Sequence, residues 1–386
     1  MPKLSKHLIV TSHPILQFGT SRFLQAHVDL FVSQALPMNQ ALGKITVIQT
    51  TDSPESSRRA EALATGAGYP VRVRGLRHGA IVDETIACTA IGAAMHAASH
   101  WQRILELASE GEVRVIVSNT GDSGWRLADG DSPALLVAGA GAPLSYPAKL
   151  LALLHRRWQL QPEAPLSILP CELVSRNGTT LAAIVIELAR QWQLSGDFIA
   201  WLARQVVWAN SLVDRIVSEP LHPVGAVAEP YALWAIERQP GLVVPCEHPA
   251  VVHVDDLQLH ERLKLHLLNL GHTVLADLWL AKSAAAHQTV FEAMNDAPMR
   301  TRLEAIWRDE VLPVFEALGQ QVQAEAYLVD LRERLLNPFL VHRLADIAQH
   351  HAQKKARRLA PVLALAASVS PQLSLPRLEA VLARGS

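Results

Sequence analysis

Lys264, Asn269 and His272, three residue types that together move protons and bind oxygen, lie in the run Glu261-Arg262-Leu263-Lys264-Leu265-His266-Leu267-Leu268-Asn269-Leu270-Gly271-His272. At about 100° per residue the three fall within an arc of about 140° on one side of a helix, while leucines fill much of the rest. The expectation is a largely buried helix in which Lys264 is desolvated and its pKa is drawn down toward the working pH. Oxidation of a secondary alcohol needs a base of that kind, taking the hydroxyl proton as hydride leaves carbon for a nicotinamide. Asn269 would donate a hydrogen bond to the developing oxyanion, and His272 would orient the substrate oxygen or the lysine. Taken singly, Lys264 reads as a snorkelling side chain and His272 as a satisfied core histidine; the three together on one apolar helix point to chemistry.

A hydride carrier needs a site of its own, and the N-terminal half supplies a candidate. Ile15 to Phe18 lead into Gly19-Thr20-Ser21-Arg22, after which Phe23, Leu24, Ala26, Val28, Leu30 and Phe31 recur as on a buried helix. Strand, tight turn and helix in that order place Gly19 where a dinucleotide fold tolerates positive φ, with backbone amides free to meet a pyrophosphate. Phe18, Gly19, Thr20, Ser21 and Phe23 are therefore expected around the cofactor. The usual G-x-G-x-x-G is incomplete, because Ser21 and Leu24 occupy its second and third glycine positions. After a second strand, Ile45 to Thr50, Asp52 is placed to meet the ribose hydroxyls, so NAD is expected over NADP. Arg58 and Arg59 offer the opposite reading, reaching a 2′-phosphate, and a solvated loop is a third. Val113 to Val117 end in Ser118-Asn119-Thr120-Gly121, small polar residues at a strand's carboxyl edge, where ligands sit in open α/β sheets. Asn119 and Thr120 are accordingly cofactor candidates, or simply an N-cap.

Further β-branched runs at Val71 to Val73 with Leu76, Ile81 to Val82 and Leu166 to Leu169, separated by helix-like stretches such as Trp101 to Ala108, imply a doubly wound, mainly parallel Rossmann-like sheet. Beyond about Thr179 wide apolar helical faces dominate, from Thr179 to Arg190 and Asp197 to Ala209 through to Val341 to Leu365. The expected organisation is a dinucleotide-binding domain over 1–178 and an all-α substrate and catalytic domain over 179–386.

Composition excludes other classes. Of 386 residues, 49% are hydrophobic and 18% charged, a balance that suits a compact enzyme and not a disordered scaffold. Lysine plus arginine total 35 against 36 acids, so no net field marks a nucleic-acid or membrane-surface binder. Cys88, Cys171 and Cys246 stand singly, without a CxxC pair for zinc or redox work. A reducing cytoplasm, no metal, no membrane segment, a small-molecule partner and a monomer or homodimer are the expectations.

In order along the chain, several segments resemble the long-chain, polyol-specific mannitol dehydrogenase family, and within it the tagaturonate reductase (altronate oxidoreductase) branch. They are Gln17-Phe18-Gly19 with Phe23 and Ala26, Arg74-Gly75-Leu76, Ser118-Asn119-Thr120, Ser145-Tyr146-Pro147-Ala148-Lys149-Leu150, Cys171-Glu172-Leu173 with Asn177-Gly178, and Val213-Asp214-Arg215-Ile216-Val217. Ala293-Met294-Asn295-Asp296, Asn337-Pro338, His342, Lys354, Arg358 and Pro361 continue the likeness. The resemblance implies that Lys264 is the general acid/base, that no zinc is used, that Asn269 helps form an oxyanion hole, and that Lys354 contacts substrate, with Asn177 and His342 beside it. Departures bear on the substrate. Glu172-Leu173 replaces the Asp-Asn of polyol-oxidising members, removing one oxyanion-hole amide; Asp346 replaces a basic residue eight positions before Lys354; and the chain stops soon after Leu375-Pro376, where the branch continues, so substrate enclosure is expected to differ.

The leading expectation is reversible, NAD-linked reduction of a keto sugar acid such as tagaturonate or fructuronate, its carboxylate met by Lys354, Arg358 or Arg215. A polyol or polyol-phosphate dehydrogenase is the near alternative, and a non-catalytic sugar-binding relative the distant one.

Overall fold

The computed structural model describes residues 13–51, 53–121, 124–282, 285 and 287–384. They form two compact units. The first comprises residues 1–72, 85–228 and 232–257; the second comprises 73–84, 229–231 and 258–386.

Short runs of β-branched residues, buried on both faces, build the first unit's main sheet. Its strands are β1 (Ile15–Phe18), β2 (Ile45–Gln49), β5 (Ile91–His96), β6 (Val115–Ser118), β7 (Leu166–Pro170) and β8 (Val206–Trp208), in the order β5-β2-β1-β6-β7-β8. Every neighbouring pair is parallel. Strand order reverses between β1 and β6, the switch point where such sheets open a crevice at their carboxyl edge. Helices α1 (Arg22–Gln25), α2 (Val28–Ala35), α3 (Pro54–Ala64), α4 (Ala97–Ser109), α5 (Tyr146–Leu160), α6 (Asn177–Gln191) and α7 (Gly196–Arg204) connect the strands. One large core cluster packs α4, α5, α6 and α7 on the sheet through Trp101, Ile104, Leu151, Leu154, Leu181, Val185 and Phe198.

The doubly wound sheet matches the sequence reading; several details do not. β5 (IGAAMH) has a single β-branched residue and is not among the strand runs that the sequence displays, yet it is the outer strand beside β2. The runs at 71–73 and 81–82 belong to a long hairpin, β3 (Tyr69–Arg77) and β4 (Ala80–Cys88), in a separate sheet with β10 (Val217–Pro220) and β11 (Ala226–Ala228). A third small sheet pairs β12 (Leu233–Glu237) with β9 (Ser211–Asp214) and β13 (Val251–Val254). Strands thus continue to Val254, and the all-α stretch begins at Gln258, not at Thr179. The division after residue 178 fails because α6 and α7 are crossovers of the first unit and its later strands are only three to five residues long, too short for periodicity to expose.

Apart from the hairpin residues 73–84 and residues 229–231, the second unit is helical: α8 (Gln258–Leu263), a π-helical segment Lys264–Asn269, α9 (Leu270–Ala281), α10 (Val290–Asn295), α11 (Ala297–Ile306), a second π segment Trp307–Val311, α12 (Leu312–Ala317), α13 (Gln321–Leu335), α14 (Leu344–Ile347), α15 (His351–Arg358), α16 (Ala360–Val369) and α17 (Pro376–Ala383). α9 is its centre, with Leu270 through Leu278 all buried. No described helix is long and apolar enough to cross a membrane.

Candidate active site

In the first unit the β1–α1 turn is a tight glycine turn at the carboxyl edge of the sheet. Gly19 sits at φ +110°, and a Cβ there would lie 2.8 Å from the Asn119 carbonyl oxygen. Only glycine lets the turn pass this close to the end of β6. Ser21, at the second glycine position, caps α1 by accepting from the Leu24 amide at 3.2 Å and donates to Asn119 Oδ1 at 3.0 Å. Asn119 Nδ2 in turn donates to the Cys171 carbonyl at 2.9 Å. Thr120 donates both its amide (2.9 Å) and its hydroxyl (3.1 Å) to Glu172 Oε1, and Ser118 donates to Oε2 at 3.0 Å. Burial pushes the Glu172 carboxyl up, against those hydrogen bonds. These links fasten the carboxyl edges of β1, β6 and β7 to one another at the switch point. The amides of Gly19, Asn119 and Thr120 are engaged within the unit, by the carbonyls of Ile48 and Phe18 and by Glu172, so the residues present fit a dinucleotide through the shape of the glycine turn and the start of α1.

Other cofactor expectations are redistributed. Phe18 is fully buried against Tyr146, with ring centroids 5.2 Å apart, and supports the turn from below. Thr20 is buried and donates to Gln49. Phe23 is half-buried and stacks on His27. Asp52 lies outside the described residues. Arg58 is exposed, and Arg59 lies 3.8 Å from Glu55. A groove of about 570 Å³ runs between α3 and the β5–α4 turn, lined by Ser57, Ala60, Glu61, Met95 and His96.

The helix after Gly19 is not continuous. α1 ends after one turn, His27 adopts φ −126° and ψ −95°, and α2 restarts at Val28. The break frees the Ala26 carbonyl, which accepts a 2.6 Å hydrogen bond from buried Arg215. Arg215 is thus a brace beneath the turn, not the open cation expected for a substrate. Asn177 is likewise structural. It is buried, its Nδ2 donates to the carbonyls of Pro170 and Ser211, both at 2.9 Å, and its Oδ1 accepts from the amides of Gly178 and Ser211.

In the second unit Lys264 and Asn269 bound the π-helical segment, and His272 follows in the first turn of α9. The Leu270 amide reaches back to the Leu265 carbonyl, the five-residue spacing of a π turn. That spacing sets residues five apart almost above one another, so Lys264 and Asn269 lie closer in angle than a regular helix would put them. Lys264 and Asn269 are half-buried and His272 buried, so the expectation of a fully desolvated lysine is corrected. A wide turn opens the helix surface at that point. The Asn269 carbonyl accepts from Thr273 Oγ1 at 2.9 Å, while its side-chain amide has no hydrogen-bond partner among the described residues. Gly271 admits the buried Trp307, since a Cβ would lie 2.7 Å from the indole.

His342 meets His272 edge to face, with centroids 4.8 Å apart. Burial lowers the His342 pKa, Asp346 opposes the shift, and Lys354 and Arg358 add to it. Those two cations stand one turn apart on α15. Lys354 Nζ donates to the Ile347 carbonyl at 2.7 Å, and Arg358 donates to Thr273 Oγ1 at 3.1 Å. Burial and then the charge of Arg358 hold Lys354 below the usual lysine range. Lys264, Asn269, His272, His342, Lys354 and Arg358 therefore belong to one unit and to the surroundings of α9. Thr273 and Gly271, which position them, carry no sequence signal beyond lying between polar residues on a leucine-rich helix. Among the described residues no group of three or more His, Cys, Asp or Glu is placed to hold a metal ion.

A Rossmann-like sheet with a glycine turn at its switch point, together with a helical unit carrying lysine, asparagine and histidine, defines a two-domain, nicotinamide-dependent dehydrogenase. More particularly, the chain belongs to the mannitol dehydrogenase family: residues 13–243 match the Mannitol dehydrogenase Rossmann domain and residues 256–384 the Mannitol dehydrogenase C-terminal domain. It is 32% identical over 369 residues to an altronate oxidoreductase of Halalkalibacterium halodurans, covering 90% of this chain and 69% of the relative. It is also 32% identical to one of Klebsiella pneumoniae (96% and 78%) and 28% identical to one of Bacillus subtilis (94% and 78%). Two solved structures share the fold. D-sorbitol dehydrogenase in substrate-free form has a TM-score of 0.80 at 18% identity, covering 96% of this chain and 80% of that one. Pseudomonas fluorescens mannitol 2-dehydrogenase, in a ternary complex with NAD and D-mannitol, has a TM-score of 0.72 at 17% identity, covering 96% and 78%.

Proposed function

We propose that this dehydrogenase interconverts a keto sugar acid of the tagaturonate or fructuronate type with its hydroxy acid, of the altronate or mannonate type, using NAD. The observation that carries the acid over a neutral polyol is the pair Lys354 and Arg358. Two cations one turn apart, the lysine held low by burial and by its neighbour, form a place that gains free energy when a carboxylate arrives. The names of the relatives support the same substrate class. The pairing of Arg59 with Glu55 favours NAD, since it leaves that arginine engaged instead of open to a 2′-phosphate. Burial of all three free cysteines supports a reducing compartment, the cytoplasm.

A nicotinamide held at the glycine turn would supply or accept the hydride at the substrate carbon. In reduction, the Lys264 ammonium gives its proton to the carbonyl oxygen; in oxidation, the Lys264 amine takes the hydroxyl proton. The Asn269 amide donates a hydrogen bond to that oxygen as charge develops on it. His272, held by His342, orients it. The two cations of α15 hold the far carboxylate.

An NADH-linked assay comparing tagaturonate and fructuronate with neutral ketoses tests the reading. The expected kcat/KM preference for the acid is about 10- to 100-fold, the worth of a charge-assisted contact. Equal or better use of the neutral ketose would make the protein a polyol dehydrogenase. No turnover with any of them, and unchanged nicotinamide fluorescence on titration, would make it a non-catalytic relative.

A further inference from the structure

Three helices of the second unit meet at one buried carboxylate, that of Asp277 on α9. Arg384, at the end of α17, donates Nε and Nη2 to Oδ2 at 2.8 and 2.5 Å. From α15, His351 Nε2 lies 3.3 Å and Lys355 Nζ 3.7 Å from Oδ1. Lys355 is itself buried and donates to the carbonyls of Val381, at 3.0 Å, and Arg384. At the other end of α17, Glu310 accepts from the amides of Arg377 and Leu378, both at 2.9 Å. α17 is thereby pinned at both ends.

The spacing of these contacts is that of two helices lying antiparallel. Thr273 and Asp277 share one face of α9 at i and i+4; Arg358 pairs with the first, and His351 and Lys355 with the second. Residues 351, 355 and 358 form the matching stripe of α15. Lys354 and Arg358 are set by the same stripe, one residue from Lys355 and within it respectively.

We propose that Asp277 is a positioning residue: by clamping Lys355 and Arg384 it fixes α15 against α9 and so sets where Lys354 and Arg358 meet the substrate carboxylate. This rests on the reading of those two cations given above. Asp277 does not touch substrate. Its loss therefore weakens ground-state and transition-state binding together, a change in KM, and leaves the proton transfer at Lys264 in place.

The test is steady-state kinetics with the keto acid on Asp277→Asn, Arg384→Gln, Lys354→Met and the double variant Asp277→Asn/Lys354→Met, with NADH affinity followed by nicotinamide fluorescence. Asp277→Asn is expected to raise KM by about 10-fold and change kcat by less than about 3-fold, with NADH affinity unchanged. The double variant is expected to raise KM by less than the product of the two single effects, because part of what the clamp positions is lost with Lys354. Should Asp277→Asn fail to fold, Arg384→Gln, which removes only the outermost partner, decides the matter with the same split at about 3-fold. If Lys354→Met leaves KM unchanged, the carboxylate reading falls and the clamp's role with it. If Lys354→Met raises KM while neither clamp variant does, or if the effects of Asp277 and Lys354 simply multiply, the reading of the cations stands and the positioning role of Asp277 is overturned.

Discussion

Asp29 and Glu172 of the first unit and Asp277, Glu310 and Glu229 of the second are buried carboxylates held in opposite ways. In the first, Asp29 and Glu172 are held by hydroxyls and amides, Asp29 by the Tyr69 hydroxyl at 2.8 Å, and neither has an ion-pair partner among the described residues. Burial dominates at both and pushes their pKa values up, Asp29 to about 7. In the second, Asp277 faces Arg384 and Lys355, Glu310 lies 3.3 Å from Arg377, and Glu229 is 2.9 Å from Arg334, whose guanidinium also covers the Tyr231 ring. At Asp277 burial acts upward, but hydrogen bonds from His351 and Arg384 and the nearby cations outweigh it and hold the carboxyl low. The difference follows from construction. The first unit uses buried acids to fasten strand edges and helices around its glycine turn; the second displays side chains from helices and uses charge pairs to fix them in register.

The largest effect that separates the units is expected at Lys264. Lys264→Ala should lower kcat by about 10³-fold, roughly 4 kcal/mol of barrier, as expected when a general acid/base is removed. NADH binding, a property of the other unit, should be unchanged by fluorescence titration. A variant that keeps wild-type kcat would remove the catalytic assignment altogether.

The opposed carboxylates also predict opposed pH dependence. Asp29 keeps its proton in the folded state up to about pH 7, whereas the unfolded chain releases it near 3.8. Folded protein then binds more protons across that window, so stability falls as pH rises through it. The loss is on the order of 4 kcal/mol at its limit. Asp277 has the other sign: its contribution is complete above its unfolded value of 3.8 and disappears as pH falls below it. Hydrogen exchange resolved by segment should show the first unit loosening toward pH 8 and the second toward pH 3. Asp29→Asn should flatten only the former, and a flat wild-type profile in the first unit would refute the buried neutral acid.

Much of the fold and of the candidate site is legible in the sequence, the carboxylate contrast is not, and the illegible parts have physical reasons. β1, β2, β6 and β7 announce themselves because strands buried on both faces are runs of Ile, Val and Leu. Lys264, Asn269 and His272 stand out because polar residues interrupt a leucine helix. β5 is hidden by its alanines, and the π turn at 264–269 is set by tertiary packing that no propensity encodes. Asn177 and Arg215 read as ligand contacts in the sequence because residue type does not tell whether hydrogen-bonding capacity is already engaged. The Asp277 clamp joins residues 74 and 107 positions apart, beyond the reach of any local pattern.

The two asparagines turn that last point into a measurement. Asn177→Ala strands buried groups at Pro170, Gly178 and Ser211, and should destabilise the first unit by about 3 kcal/mol, read as a shift in urea midpoint, with kcat nearly unchanged. Asn269→Ala should do the reverse, lowering kcat about 100-fold with an unchanged midpoint. If both variants lost stability and neither lost rate, Asn269 would be a second structural residue and the oxyanion contact would have to come from elsewhere.

A single methyl group gives the smallest and finest comparison, because Gly19 and Gly271 each exclude a side chain for a different reason. At Gly19 an added Cβ meets backbone, the Asn119 carbonyl oxygen at 2.8 Å, and φ is +110°, so neither the neighbour nor the chain relaxes without moving the β1–α1 turn. Gly19→Ala should destabilise by about 2 kcal/mol and weaken NADH binding, with KM for the keto acid unchanged. At Gly271 the added Cβ meets the Trp307 ring at 2.7 Å within a helix, so the indole must shift in a closely packed core. Because His272 is the next residue, Gly271→Ala should lower kcat and leave NADH affinity untouched. Reversal of the two outcomes would overturn the proposed assignment of cofactor binding to the glycine turn and of proton transfer to the lysine-bearing helix.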